Sequence, residues 1–154
     1  MEEVWTGGPI FATVATMNHS LPIIHDTSPG TKSDMQTILV VEDDHQIRDL
    51  LTTLLEEEGY RVVLAENGLQ AIKCLSDVHP DLIICDVMMP ILDGGDVANV
   101  VRATPDLQET PVLGVTALST LKRARDHNFA AVIHKPFDVT ELLETVSSLL
   151  NQAH

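Results

Sequence analysis

Three acidic side chains stand in a row at Glu42-Asp43-Asp44, directly after the apolar run Ile38 to Val41. A fourth, Asp86, follows the apolar run Leu82 to Cys85. Thr116 follows Val112 to Val115, and Lys135-Pro136 comes just after Ala130 to Ile133. Two carboxylates about 4 Å apart repel by roughly 4 kcal/mol at an effective dielectric near 20. A folded chain keeps such a cluster only with compensation, either a raised carboxyl pKa or a bound divalent cation. Oxygen-only donors favour Mg²⁺ or Mn²⁺ over zinc. Lys135 adds a fixed positive charge and Thr116 a hydroxyl donor. A cation, an ammonium and a hydroxyl around one carboxylate suit an incoming phosphoryl group, whose charge they neutralise. The nucleophile in that chemistry is the Asp86 carboxylate, and the product is an aspartyl phosphate.

These residues meet only if the chain brings the ends of its apolar runs together. Ile38 to Val41 is short and continuously apolar, as in a strand buried on both faces. Ile47, Leu50, Leu51, Leu54 and Leu55 recur at helical spacing, and Gly59 stops that helix. Arg61 to Ala65 predicts a second strand, and Ala71, Ile72 and Leu75 mark a second helix. Leu82 to Cys85, Val112 to Val115 and Ala130 to Ile133 are the remaining strands. Helices are predicted at Gly94 to Ala103, near Ser119 to His127, and through Leu142, Val146 and Leu150. Five strands alternating with five helices imply a parallel sheet covered on both faces, with ligands beyond the carboxyl ends of the strands. Asp44 begins the first helix and is read as its N-cap, not as a ligand.

The chain resembles the receiver domain of response regulators. The resemblance rests on Ile38-Leu39-Val40-Val41-Glu42-Asp43-Asp44, on Pro80 through Pro90 around Asp86, and on Asp93-Gly94, Val115-Thr116-Ala117 and Lys135-Pro136-Phe137. It implies a flavodoxin-like (βα)5 fold, a doubly wound parallel five-stranded sheet of order 2-1-3-4-5. It implies that Glu42 and Asp43 are the acidic pair of a Mg²⁺ (or Mn²⁺) site, shared with Asp86 and the Met88 backbone carbonyl. Asp86 would be the phospho-acceptor, and Thr116 and Lys135 would contact phosphoryl oxygens. The Lys135-Pro136 bond is a candidate cis peptide, since proline lowers the cost of that isomer. The phosphoryl group would come from a histidine kinase or a His-phosphotransfer protein. The signal would pass to a downstream protein target by docking, relay or a phosphorylation-dependent dimer.

Two positions depart from the family pattern. The family usually carries Tyr or Phe three residues before the lysine, as a rotameric switch paired with Thr116; here it is Val132. Thr116 and Lys135 are also nineteen positions apart, a short spacing for the family. Output is therefore expected to use loops and a short fourth helix bearing Lys122, Arg123 and Arg125; the alternative for those three is a solvated basic face. Met88 and Leu118, two residues after Asp86 and Thr116, cannot orient an attacking water. A long-lived phosphorylated state is the expectation.

Residues 1–35 hold Gly7, Gly8, Pro9, Pro22, Pro29 and Gly30 without lasting periodicity and are expected to be a disordered extension. Residues 36–152 form the receiver domain, expected to stand alone without a following output domain. Met35 is a second candidate start. The formal charge of −14 opposes direct nucleic-acid or membrane binding. No apolar run has membrane-spanning length. Cys74 and Cys85 are too few for a disulfide framework and fit a reducing cytoplasm. The module is expected to signal and not to act as an enzyme. Three alternatives are a receiver that is never phosphorylated, a flavin-binding protein of the same topology, and a phosphatase with an aspartyl nucleophile. Glu42-Asp43-Asp44 would repel a flavin phosphate, and Met88 stands where such a phosphatase carries a second Asp.

Overall fold

The computed structural model describes residues 24–25, 35–120, 124 and 128–153. Five parallel strands form the sheet: β1 (Thr37–Val41), β2 (Arg61–Ala65), β3 (Leu82–Asp86), β4 (Val112–Ala117) and β5 (Ala131–Lys135). Their order is β2-β1-β3-β4-β5, the flavodoxin-like arrangement. A two-residue strand at Ile24–His25 adds antiparallel to the outer edge, opposite Val63 and Val62. Sequence periodicity predicts no strand there. The rest of residues 1–34, where the disordered extension is expected, lies outside the described residues.

Among the described residues, four α-helices cover the sheet: α1 (His45–Glu57), α2 (Gly68–Cys74), α3 (Gly94–Ala103) and α4 (Val139–Gln152). Alternation along each strand sends side chains to opposite faces. Ile38 and Val40 join Leu51, Leu55, Leu142 and Val146, beneath α1 and α4. Leu39 and Val41 join Ala71, Cys74, Val97 and Val101, beneath α2 and α3. Each fully buried leucine or valine contributes about 2 kcal/mol of transfer free energy, so both layers hold the strand ends in fixed register.

Capping sets where the helices begin relative to those ends. The Asp44 carboxylate accepts from the N–H groups of Gln46 (2.8 Å) and Ile47 (3.2 Å), capping α1 only two residues after Glu42. Gly59, at φ 93, closes α1: its N–H donates to Glu56 O and that of Tyr60 to Leu55 O. Asp93 and Asp96 form a reciprocal capping box at α3. Gly94 sits against β3: a Cβ there would lie 2.6 Å from Asp86 O. Its lack of a side chain lets α3 begin directly beside the Asp86 backbone.

Of the helix predicted near Ser119 to His127, Leu118–Thr120 form a single 3-10 turn. Ala124 is helical and buried, whereas residues 121–123 and 125–127, with Lys122, Arg123 and Arg125, lie outside the described residues.

Candidate functional site

Glu42, Asp43 and Asp86 converge where β1 and β3 end, with one carboxylate oxygen from each within 4.8 Å of the others. Glu42 continues the ladder past β1, its N–H donating to Ala65 O at 3.1 Å. Its backbone carbonyl accepts from Arg48 Nη1 at 2.9 Å, which ties α1 to the site. The Glu42 side chain is buried and the Asp43 side chain is exposed. Asp86 is the last residue of β3, and its Oδ1 accepts from the Met88 N–H at 3.0 Å. The acidic oxygens therefore include two buried residues and one solvent-facing residue, a hard donor set that fits Mg²⁺.

Lys135 reaches this cluster from the end of β5. Its Nζ lies 3.0 Å from Glu42 Oε2 and 3.2 Å from Asp86 Oδ2. Burial alone would lower the ammonium pKa; the two carboxylates together outweigh it and raise the group above its ordinary value. The Lys135-Pro136 peptide is cis. His134, one residue earlier, is exposed, as the alternation of the strand requires.

Burial, and after it the charge of Asp86, push the Glu42 carboxyl from 4.5 up to about 7. Lys135 and the Asp44 N–H hold it back from rising further. The folded chain thus binds this proton more tightly than the unfolded chain. Its stabilising effect is complete below pH 4.5 and is lost as pH rises through about 7. Glu42→Gln is expected to raise the stability of the metal-free protein at pH 8, by roughly 3 kcal/mol at most, with the difference closing toward pH 4.5. Thermal melts in chelator check this. An equal difference at both pH values would contradict it.

Thr116 is fully buried near the end of β4, one residue past Val115, the register partner of Asp86. Its hydroxyl is hydrogen-bonded to the hydroxyl of Thr120. Thr120 Oγ1 in turn donates to Ala117 O at 2.9 Å. Sequence reasoning missed Thr120; the available signal was a second threonine four positions after Thr116. Val132, at the expected switch position, lies opposite Gly114 in the β4–β5 register, and the ring that packs over Gly114 is Phe129.

The Asp86 loop also holds an unusual turn. The Leu92 N–H donates to Pro90 O at 2.8 Å around Ile91, which has φ 72. That region is strained for a β-branched residue. Ile91 is 95% exposed and Met88 43% exposed, so the loop beyond the acidic cluster presents apolar side chains to solvent. Cys85 is buried beside Asp86; burial raises its thiol pKa well above the ordinary value and keeps it a poor nucleophile.

A sequence profile of the response regulator receiver domain matches residues 38–147. The polar-differentiation response regulator DivK of Brucella ovis is 31% identical over 121 residues, covering 77% of this chain and 98% of its own. The receiver domain of a signal transduction histidine kinase from Syntrophus aciditrophicus superposes with a TM-score of 0.72 at 35% identity. That match covers 76% of this chain and 91% of the other. The response regulator TrrA of Thermotoga maritima, solved in complex with Mg²⁺-BeF, superposes with a TM-score of 0.68 at 34% identity, covering 75% and 99%.

Proposed function

The chain belongs to the response regulator receiver domain family of two-component systems, and from that premise we propose that Asp86 accepts a phosphoryl group. The observation that carries this reading is the Lys135 ammonium held between Glu42 and Asp86 at 3.0 and 3.2 Å. A positive charge fixed at the acceptor stabilises negative charge as it gathers on the transferred group. An Asp86 carboxylate oxygen attacks phosphorus. The new O–P bond forms as the N–P bond of a phosphohistidine breaks, and the electron pair returns to the imidazole nitrogen. Lys135 and the Thr116 hydroxyl then contact phosphoryl oxygens. Glu42, Asp43, Asp86 and the Met88 carbonyl would hold Mg²⁺ (or Mn²⁺), which when bound neutralises charge on those oxygens.

The donor in this reading is a histidine kinase or His-phosphotransfer protein. The recipient of the signal is another protein, and a phosphorylation-dependent dimer is one form that output can take. A cytoplasmic site of action belongs to the same reading and suits the free thiols of Cys74 and Cys85. Fluoroberyllate, a phosphoryl mimic, should bind only with Mg²⁺ and shift the backbone NMR signals of Asp86, Thr116 and Lys135. A protein that binds Mg²⁺ but no fluoroberyllate would be a receiver that works without phosphorylation.

The phosphorylated state should be long-lived. Hydrolysis needs a water held in line with the breaking bond, and neither Met88 nor Leu118 offers a polar group to hold it. Met88→Asn with Leu118→Glu is expected to speed loss of label from Asp86 by about tenfold or more. Unchanged decay, followed with Mg²⁺ and no partner protein, would remove these residues from the argument.

A further inference from the structure

The two hydroxyls beyond β4 carry two hydrogen bonds, and one arrangement of protons satisfies both. Ala117 O can only accept, so the Thr120 proton goes to it. The bond between the two hydroxyls must then use the Thr116 proton, with Thr120 Oγ1 accepting. A hydroxyl has a single proton to give. While Thr116 donates to Thr120, it cannot donate to anything at Asp86. We propose that Thr120 is a positioning residue, holding the Thr116 hydroxyl away from the acceptor until a phosphoryl oxygen takes that bond over.

This inference rests on the phosphoryl-accepting reading of Asp86 and adds a resting state to it. Thr116 is fully buried, so its hydroxyl needs a partner in both states. The exchange trades one partner for another, and a charged phosphoryl oxygen is the stronger acceptor. Thr120 ends the 3-10 turn Leu118–Thr120. Losing the Thr116 bond therefore loosens the end of that turn at the moment of phosphorylation. The phosphoryl group and Thr120 compete for one proton, a coupling that needs no aromatic ring at Val132.

Two measurements test the latch. The first is a double-mutant cycle of Thr116→Val and Thr120→Val in metal-free protein, read by denaturant unfolding. A hydrogen-bonded pair gives strongly non-additive losses; additive losses overturn the proposal. The second is the affinity for fluoroberyllate at saturating Mg²⁺. Thr120→Val leaves Thr116 without its resting partner, so the affinity should rise about fivefold, the factor one neutral hydrogen bond is typically worth. Thr120→Ser restores the acceptor and should return the affinity to near the wild-type value, while the affinity for Mg²⁺ alone stays unchanged in both variants. A Thr120→Val protein that binds fluoroberyllate no more tightly than wild type overturns the latch alone. A wild type that binds none overturns the phosphoryl reading as well.

Discussion

Asp86→Ala is expected to abolish incorporation of phosphoryl groups from a small acyl-phosphate donor with Mg²⁺ present. The loss should be at least about 10³-fold, because the substitution removes the nucleophile itself. Neither neighbouring acid can take over. Glu42 is buried more deeply than Asp86, and its carboxyl is pushed up to about 7, so it is in part protonated near neutral pH and a weaker nucleophile. Asp43 is exposed and does not close a strand of the sheet. Asp86 alone ends a central strand, with the Met88 N–H on one oxygen and Lys135 Nζ on the other. Asp86→Asn keeps the shape and loses the nucleophile, so it should fail equally. Intact-mass measurement after exposure to the donor reads the outcome, and a mutant labelled to the wild-type extent would refute the assignment.

Lys135→Ala should produce two effects of opposite sign. The rate of phosphoryl incorporation should fall about 10²-fold or more, the typical cost of deleting one positioned electrostatic group. The affinity for Mg²⁺ should rise, because the ammonium sits 3.0 and 3.2 Å from two of the carboxylates that would hold the ion and competes with it. Damage to the fold would lower both quantities. Titration calorimetry for Mg²⁺ beside a labelling time course separates the two causes. Lys135→Arg should rescue poorly, since a planar guanidinium is not a substitute for a compact ammonium between two oxygens. Falling Mg²⁺ affinity together with falling labelling would show that Lys135 only supports the strand end.

The main architecture was legible because burial on both faces leaves a plain trace. Continuous apolar runs such as Leu82 to Cys85 can be little else when flanked by helical periods. The ends of the runs were less legible. The sequence reading stops the third strand at Cys85, the fourth at Val115 and the fifth at Ile133, yet the ladder runs on to Asp86, Ala117 and Lys135. The residues that carry the chemistry are polar, so they look like loop while remaining strand. The acidic cluster and Lys135 were readable as parts of one site from their positions after strands. That Lys135 also grips Glu42 was not, since nothing in the spacing separates Glu42 from Asp43. The Thr116–Thr120 bond depends on the tight turn at Leu118–Thr120, where a helix was predicted.

The pairing of Ile24–His25 with Val63 and Val62 bears on how the molecule stays apart from its own copies. β2 is the outermost parallel strand on one side of the sheet, and its side chains from Val62 to Ala65 are buried. Left bare, such an edge offers a row of unpaired N–H and C=O groups to any extended chain nearby. Ile24 and His25 occupy two of those places with backbone from the same molecule. A chain trimmed to begin at Met35 gives them up. Without Glu2, Glu3, Asp26, Asp34 and Lys32 the formal charge falls from −14 to −11, which still keeps copies apart at low ionic strength, but salt screens it within about 10 Å at 0.1 M. Trimming and salt therefore push the same way, toward sheets that continue from one molecule into the next.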